Sequence, residues 1–178
     1  IISLLLTAFS LVYASESRGA TGDRLKELPV QDSGRIKPFD TFARESLQLV
    51  YGKQTFKSET GASRPALEVV MTWIMQPQAW SDTPLFEIRH NQVKKALKFE
   101  ETKKYFTLNE IMNDDRLPVL MQELQSKRES KEKLDPYFQA LQRLEGQLFI
   151  CRELAVGRVH KLLPEKDSGA AWAPIADL

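Results

Sequence analysis

Helical periodicity governs the second half of the chain. Leu117, Leu120, Met121 and Leu124 fall on one stripe of an amphipathic helix that accepts Pro118 in its first turn and runs into the charged stretch Ser126–Lys133. Asp135 and Pro136 then read as the N-cap and first residue of a long helix. On that helix Tyr137, Leu141, Leu144, Leu148, Cys151 and Ala155 recur at alternating steps of four and three, a narrow seam for packing against another helix. An antiparallel helical hairpin is the economical arrangement, with Ser126–Lys133 at its tip and Pro164–Gly169 ending the pattern.

The first half is more interrupted. Leu67, Val70, Met71, Ile74 and Met75 keep helical spacing in a segment that Ser63 and Pro65 are expected to open and Pro77 to stop. Phe42, Ala43, Leu47, Val50 and Tyr51 share one face of an earlier helix, with Asp40 or Thr41 as its expected N-cap and Gly52 placed to end it. Extended pieces are expected on either side of Asp32-Ser33-Gly34, at Gln54–Lys57 and at Leu85–Ile88. A short helix is read from Asn91 to Phe99, and the pair Thr107 and Glu110 forms a capping-box signature for another that ends near Met112. The expected fold class is mainly α with a small β element, an α+β arrangement with a helical hairpin in its C-terminal half.

The apolar run Ile1–Ala14 is shorter than the roughly 20 residues a membrane helix needs, and fits a signal-peptide core or the end of a membrane helix. The organisation read from the chain is therefore that segment, a linker at 15–27, an extracytoplasmic domain at 28–163, and a linker at 164–178 leading toward a following segment.

Composition narrows the functional classes. With 178 residues, 42% of them apolar and 28% charged, the chain carries enough for one globular core. Its 25 basic side chains against 24 acidic ones give no overall electrostatic case for nucleic acid or an anionic membrane surface. The single cysteine, Cys151, excludes an internal disulfide and a zinc site of several thiolates. There is no Cys-x-x-Cys-His, no Gly-x-Ser-x-Gly and neither of the glycine-rich nucleotide loops, so no catalytic residue and no metal ligand is assigned. The two histidines, His90 and His160, would each need a distant partner to ligate a haem or a metal. Trp73 lies within a helix of apolar spacing and is expected in the core. Trp80 and Trp172 stand beside turn formers and are the candidate interface aromatics; with Phe39, Phe42, Tyr105 and Phe106 there is aromatic surface enough to line a groove.

The most specified stretch is Leu28–Lys53. Its Asp-Ser-Gly turn precedes Arg35 and Lys37, whose alternation with Ile36 puts both charges on one side of a strand. Asp40, Arg44 and Glu45 follow within pairing distance, so Gln31, Asp32, Arg35, Lys37, Asp40, Arg44 and Glu45 form a candidate partner-binding or structural motif. Arg35 is expected in a knot of charged hydrogen bonds, with contact to a partner or a haem propionate as the alternative.

These residues also carry a resemblance. Pro29, Val30, Gln31, Asp32, Gly34, Arg35, Ile36, Lys37, Pro38, Thr41 and Glu45 match a pattern in the extracytoplasmic part of bacterial System II cytochrome c biogenesis proteins of the ResB/CcsA (CcsBA) type. LEVVMTWIMQPQAW and the closing WAPIADL look like looser parts of that region. The resemblance implies a domain of an assembly factor rather than an independent catalyst, beside a membrane-embedded subunit or domain that delivers haem, with apocytochrome c as a further partner. It implies haem for the complete protein and no cofactor within this segment, because the family's tryptophan-rich haem-handling segment has no counterpart here and neither His90 nor His160 matches a haem motif. A secreted helical binding module unrelated to haem, and a periplasmic hydrolase with a dispersed site, are the competing readings.

Overall fold

The computed structural model of the protein describes residues 24–32, 34–58, 60–157, 161–163 and 173–174. The segment expected as a signal or membrane element, together with His160 and Trp172, lies outside the described residues.

Strands β1 (Pro29–Asp32) and β2 (Arg35–Pro38) pair antiparallel, with Asp32 opposite Arg35 and Val30 opposite Lys37. Gly34 takes φ 77° in the connection, a left-handed conformation that glycine adopts without a Cβ clash. Helix α1 (Phe39–Tyr51) continues directly from β2. Pro38 occupies its N-cap position and makes no side-chain cap, so Asp40 and Thr41, expected there, fall inside the first turn instead. The need for a cap is reduced because the Phe39 N–H, one of the helix's free donors, donates to the Leu28 carbonyl at 2.8 Å. At the other end Gly52, at φ 78°, donates its N–H to the Gln48 carbonyl and closes the helix as its spacing predicts.

Strands β3 (Thr55–Lys57) and β4 (Ser63–Pro65) form a second antiparallel pair. Pairing with Thr55–Lys57 holds Ser63–Pro65 extended, so Ser63 belongs to the strand, while Pro65 is both the strand's last residue and the N-cap of the helix it was expected to open. Helix α2 (Ala66–Met75) begins immediately afterwards and buries Ala66, Val69, Val70 and Trp73. Leu67, Met71 and Ile74 are only partly covered, and Met75 is exposed, so the buried face is rotated from the expected stripe toward Trp73. A 3-10 turn at Pro77–Trp80 leads to β5 (Phe86–Glu87), helix α3 (Asn91–Ala96) and β6 (Tyr105–Phe106), which pairs with β5. Lys98 at φ 50° turns the chain away before Phe99, where the helix was expected to end. Thr107 and Glu110 make the anticipated capping box on α4 (Leu108–Met112).

Helices α5 (Leu117–Glu129) and α6 (Pro136–Ala155) form the hairpin, with the Asp135 carboxylate accepting from the Phe138 N–H at 2.9 Å. The Arg128 guanidinium donates to both oxygens of Glu145 across the two helices. The α6 seam differs from its predicted line: Leu141 and Leu144 are buried as expected, but the buried set continues through Gln147 and Leu154. A 3.5-residue repeat drifts around a helix of 3.6 residues per turn, and α6 also packs on α1 and α2, which pulls the covered face toward them. Strands β7 (Lys161–Leu163) and β8 (Ala173–Pro174) extend the first sheet to the order β2-β1-β7-β8, leaving β2 at one edge. The result is a mostly helical α+β fold with small antiparallel sheets. Its core joins α1, α2, α6 and β5 through Phe42, Leu47, Val50, Val70, Phe86 and Leu144.

Candidate functional site

The Leu28–Lys53 motif folds as a hairpin laid against its own helix. Val30 is fully buried beneath α1, and Lys37, opposite it, reaches the same side. The Lys37 ammonium donates to Asp32 at 2.8 Å and to Glu45 at 2.5 Å, tying turn, strand and helix together. Partial burial pulls the Lys37 pKa down, but the two hydrogen bonds and both carboxylate charges outweigh it and hold the group above its ordinary value. Arg44 bridges to Asp40 one turn earlier at 2.7 Å. The expected charge knot is therefore present, but centred on Lys37. Arg35 is exposed and joins none of its ion pairs among the described residues.

Alternation puts Ile36 on the face opposite Lys37, and it is 61% exposed. Its hairpin neighbour Gln31 is matched on the other side by Lys161 of β7. Ile36 thus stands on the outer strand, where the sheet has no further described neighbour. Pro38 carries no N–H, which confines any further backbone pairing on this edge to the residues before it.

The far end of the motif is held by residues that sequence patterning did not single out. Gln147, buried in the middle of α6, directs its amide nitrogen to the carbonyls of Leu49 (3.0 Å), Val50 (3.2 Å) and Glu87 (3.2 Å). Arg143, one turn earlier, donates to Leu49 at 3.0 Å. Two α6 side chains therefore satisfy the open carbonyls of the last turn of α1, and the guanidinium complements the negative end of the helix. Glu87 packs against the same point. Its carboxylate is enclosed and lies 2.8 Å from Arg89, 3.1 Å from Lys104 and 4.0 Å from Arg143. Burial pushes its pKa up, but the hydrogen bonds and charges of Arg89 and Lys104 prevail and keep it below the usual carboxylate range. A carboxylate so held stays ionised near neutral pH and anchors the strand; it is a poor proton donor.

A cavity of about 320 Å³ adjoins this node, lined by Glu87, His90, Arg143 and Gln147 among others. His90 sits at the N-cap of α3 without capping it, and its buried Nδ1 has no hydrogen-bond partner. Trp80, the candidate interface aromatic, is only 8% exposed: its ring packs edge-on against Trp73 and Phe56, so most of its area serves the core. Burial pushes the Cys151 thiol up to about 12, which removes it as a nucleophile near neutral pH.

Among the described residues no group of three or more His, Cys, Asp or Glu could hold a metal ion, and no helix is long and apolar enough to cross a membrane. No protein-family model matches the chain, and no curated protein matches it. Glu87 did leave a trace in the sequence: it is the only charge within Leu85-Phe86-Glu87-Ile88, and a carboxylate inside an apolar run signals a buried, paired group. Gln147 left none, since a glutamine on a helix this polar reads as solvated.

Proposed function

We propose that this chain is an extracytoplasmic, partner-binding scaffold domain of a System II-type cytochrome c assembly protein. Its Arg35–Lys37 edge docks on the membrane-embedded subunit or domain that delivers haem, and apocytochrome c is a further partner. The domain contributes a surface and no catalytic group, and the haem belongs to the complete assembly.

One observation supports this reading most directly. The motif that carries the resemblance pairs its own charges internally through Lys37 and Asp40, while Ile36 and Arg35 face outward on an edge strand. An edge strand offers backbone N–H and C=O groups to another chain, and on this one the exposed Ile36 side chain adds an apolar contact beside them.

The test is to introduce Ile36→Asp and Arg35→Glu into the complete protein in cells that mature c-type cytochromes. Each variant is expected to accumulate as folded protein and to lose both co-purification of the membrane partner and most of the cytochrome yield. Val119→Asp, at an exposed apolar position on α5, is expected to leave both intact. Full cytochrome yield in the edge variants would reject the proposal.

A further inference from the structure

A ladder of four aromatic rings runs from Trp80 to Tyr105. Trp80 meets Phe56 edge-on at 5.5 Å between centroids, Phe56 meets Tyr51 at 5.2 Å, and Tyr51 stacks on Tyr105 at 4.7 Å and 25°. Each end of the ladder carries a cation. The Arg64 guanidinium lies 5.9 Å from the Trp80 ring, and the Lys104 ammonium 5.2 Å from the Tyr105 ring. All four rings and both cations line one open cleft of about 990 Å³, at the upper end of the size range of small-molecule sites.

Two further observations bear on what the cleft accepts. The Tyr105 hydroxyl is buried in this wall beside the Lys104 ammonium, which can only donate to it, so the hydroxyl's own proton has no acceptor. Besides lying over Trp80, Arg64 pairs among the described residues with Glu68 at 3.6 Å, with both side chains about half exposed, a pairing weak enough to yield to a ligand. The carboxylate in the lining, Asp82, already accepts from the Asn109 amide at 2.7 Å. Lys103 is paired with Glu110 and Lys104 with Glu87, which leaves the weakly paired Arg64 and Lys57, which also lines the cleft, as the cations open to an incoming charge.

We infer that this cleft is a binding site for a small ring-bearing organic anion. Its ring system lies against the part of this wall that the cleft leaves open, chiefly the half-buried Tyr105 ring with the edges of the more deeply buried Trp80, Phe56 and Tyr51, and its acidic group meets Arg64, with the Tyr105 hydroxyl as a second donor. Aromatic faces attract the ligand's ring edges and apolar surface, and the cations set the sign of its charge. This inference is independent of the docking role proposed for the hairpin edge.

The test uses 8-anilinonaphthalene-1-sulfonate as the anionic probe and N-phenyl-1-naphthylamine as its neutral analogue, titrated into the folded protein. The expected result is one saturable sulfonate site whose affinity falls about tenfold in Arg64→Glu, and severalfold in Tyr105→Phe, with weakening at higher salt. The neutral analogue is expected to bind wild type and Arg64→Glu alike. Circular dichroism establishes that both variants remain folded, and Tyr105→Phe keeps the wall intact if Arg64→Glu does not. Absence of saturable sulfonate binding, or sulfonate affinity unchanged in both variants, overturns the inference.

Discussion

The Glu87 carboxylate rests against the α-carbon of Gly52, in the space a side chain there would need. A Cβ on Gly52 would overlap that carboxylate, and the backbone at φ 78° separately disfavours any residue with a Cβ. Gly52→Ala therefore meets two costs: about 1–2 kcal/mol for the left-handed backbone, and a further loss when the carboxylate is displaced from its cations. Gly34 has nearly the same φ, 77°, and open space around it. Gly34→Ala is thus expected to lose only the first of these, and urea denaturation of the two variants isolates the contribution of the Glu87 contact.

Gln147 is the second tie at the end of α1. Replacing it with Leu keeps the volume but leaves the carbonyls of Leu49, Val50 and Glu87 without that donor. Arg143 still reaches Leu49, so the expected loss is about 2–3 kcal/mol for unmet buried acceptors rather than a sum over all three. Gln147→Glu is expected to be worse, because a carboxylate there faces carbonyl oxygens. The order wild type, Leu, Glu in denaturant midpoint is the measurable outcome.

Acid titration reports on Glu87. Its pKa in the folded protein lies below its ordinary value of 4.5, so the unfolded chain binds the proton more readily. The stabilisation is therefore present above about pH 4.5 and is lost as pH falls through the lower, folded pKa. Glu87→Gln is expected to be less stable at neutral pH and to show a shallower loss of stability on acidification. Thermal midpoints from pH 7 down to pH 3 provide the comparison.

Cys151 is expected to resist alkylation. With its thiol pushed up to about 12, only about one thiol in ten thousand is ionised at pH 8 in the folded protein. Iodoacetamide should label it slowly until denaturant is added and then at the rate of an ordinary cysteine. Fast labelling of the native protein would contradict the placement of this residue.

Local signals account for much of what the sequence revealed. Thr107 with Glu110, Asp135 with Pro136, and Gly52 each state a backbone requirement within a few residues, and each element begins or ends where those residues require. What the sequence concealed depends on distant partners. Ser63 looks like part of a helix start until Thr55–Lys57 pairs with it, and Asp40 looks like a cap until Leu28 supplies the acceptor for Phe39. The charged motif was legible as a cluster, but which cation sits at its centre was not. Strand alternation places Arg35 and Lys37 alike, and only the position of α1 brings Lys37 to Glu45 and leaves Arg35 outside. Gln147 and Arg143 matter because α6 crosses the end of α1 nearly a hundred residues earlier in the chain.

The most direct test of the docking role is site-specific photo-crosslinking from the hairpin edge. A benzophenone amino acid placed at Ile36 of the complete protein, in cells assembling c-type cytochromes, is expected to yield a discrete adduct with the membrane-embedded assembly partner. The same group at Val119 on α5 is expected to yield none. Equal crosslinking from both positions, or none from Ile36 while cytochrome assembly proceeds normally, would contradict the assignment of this edge as the docking surface.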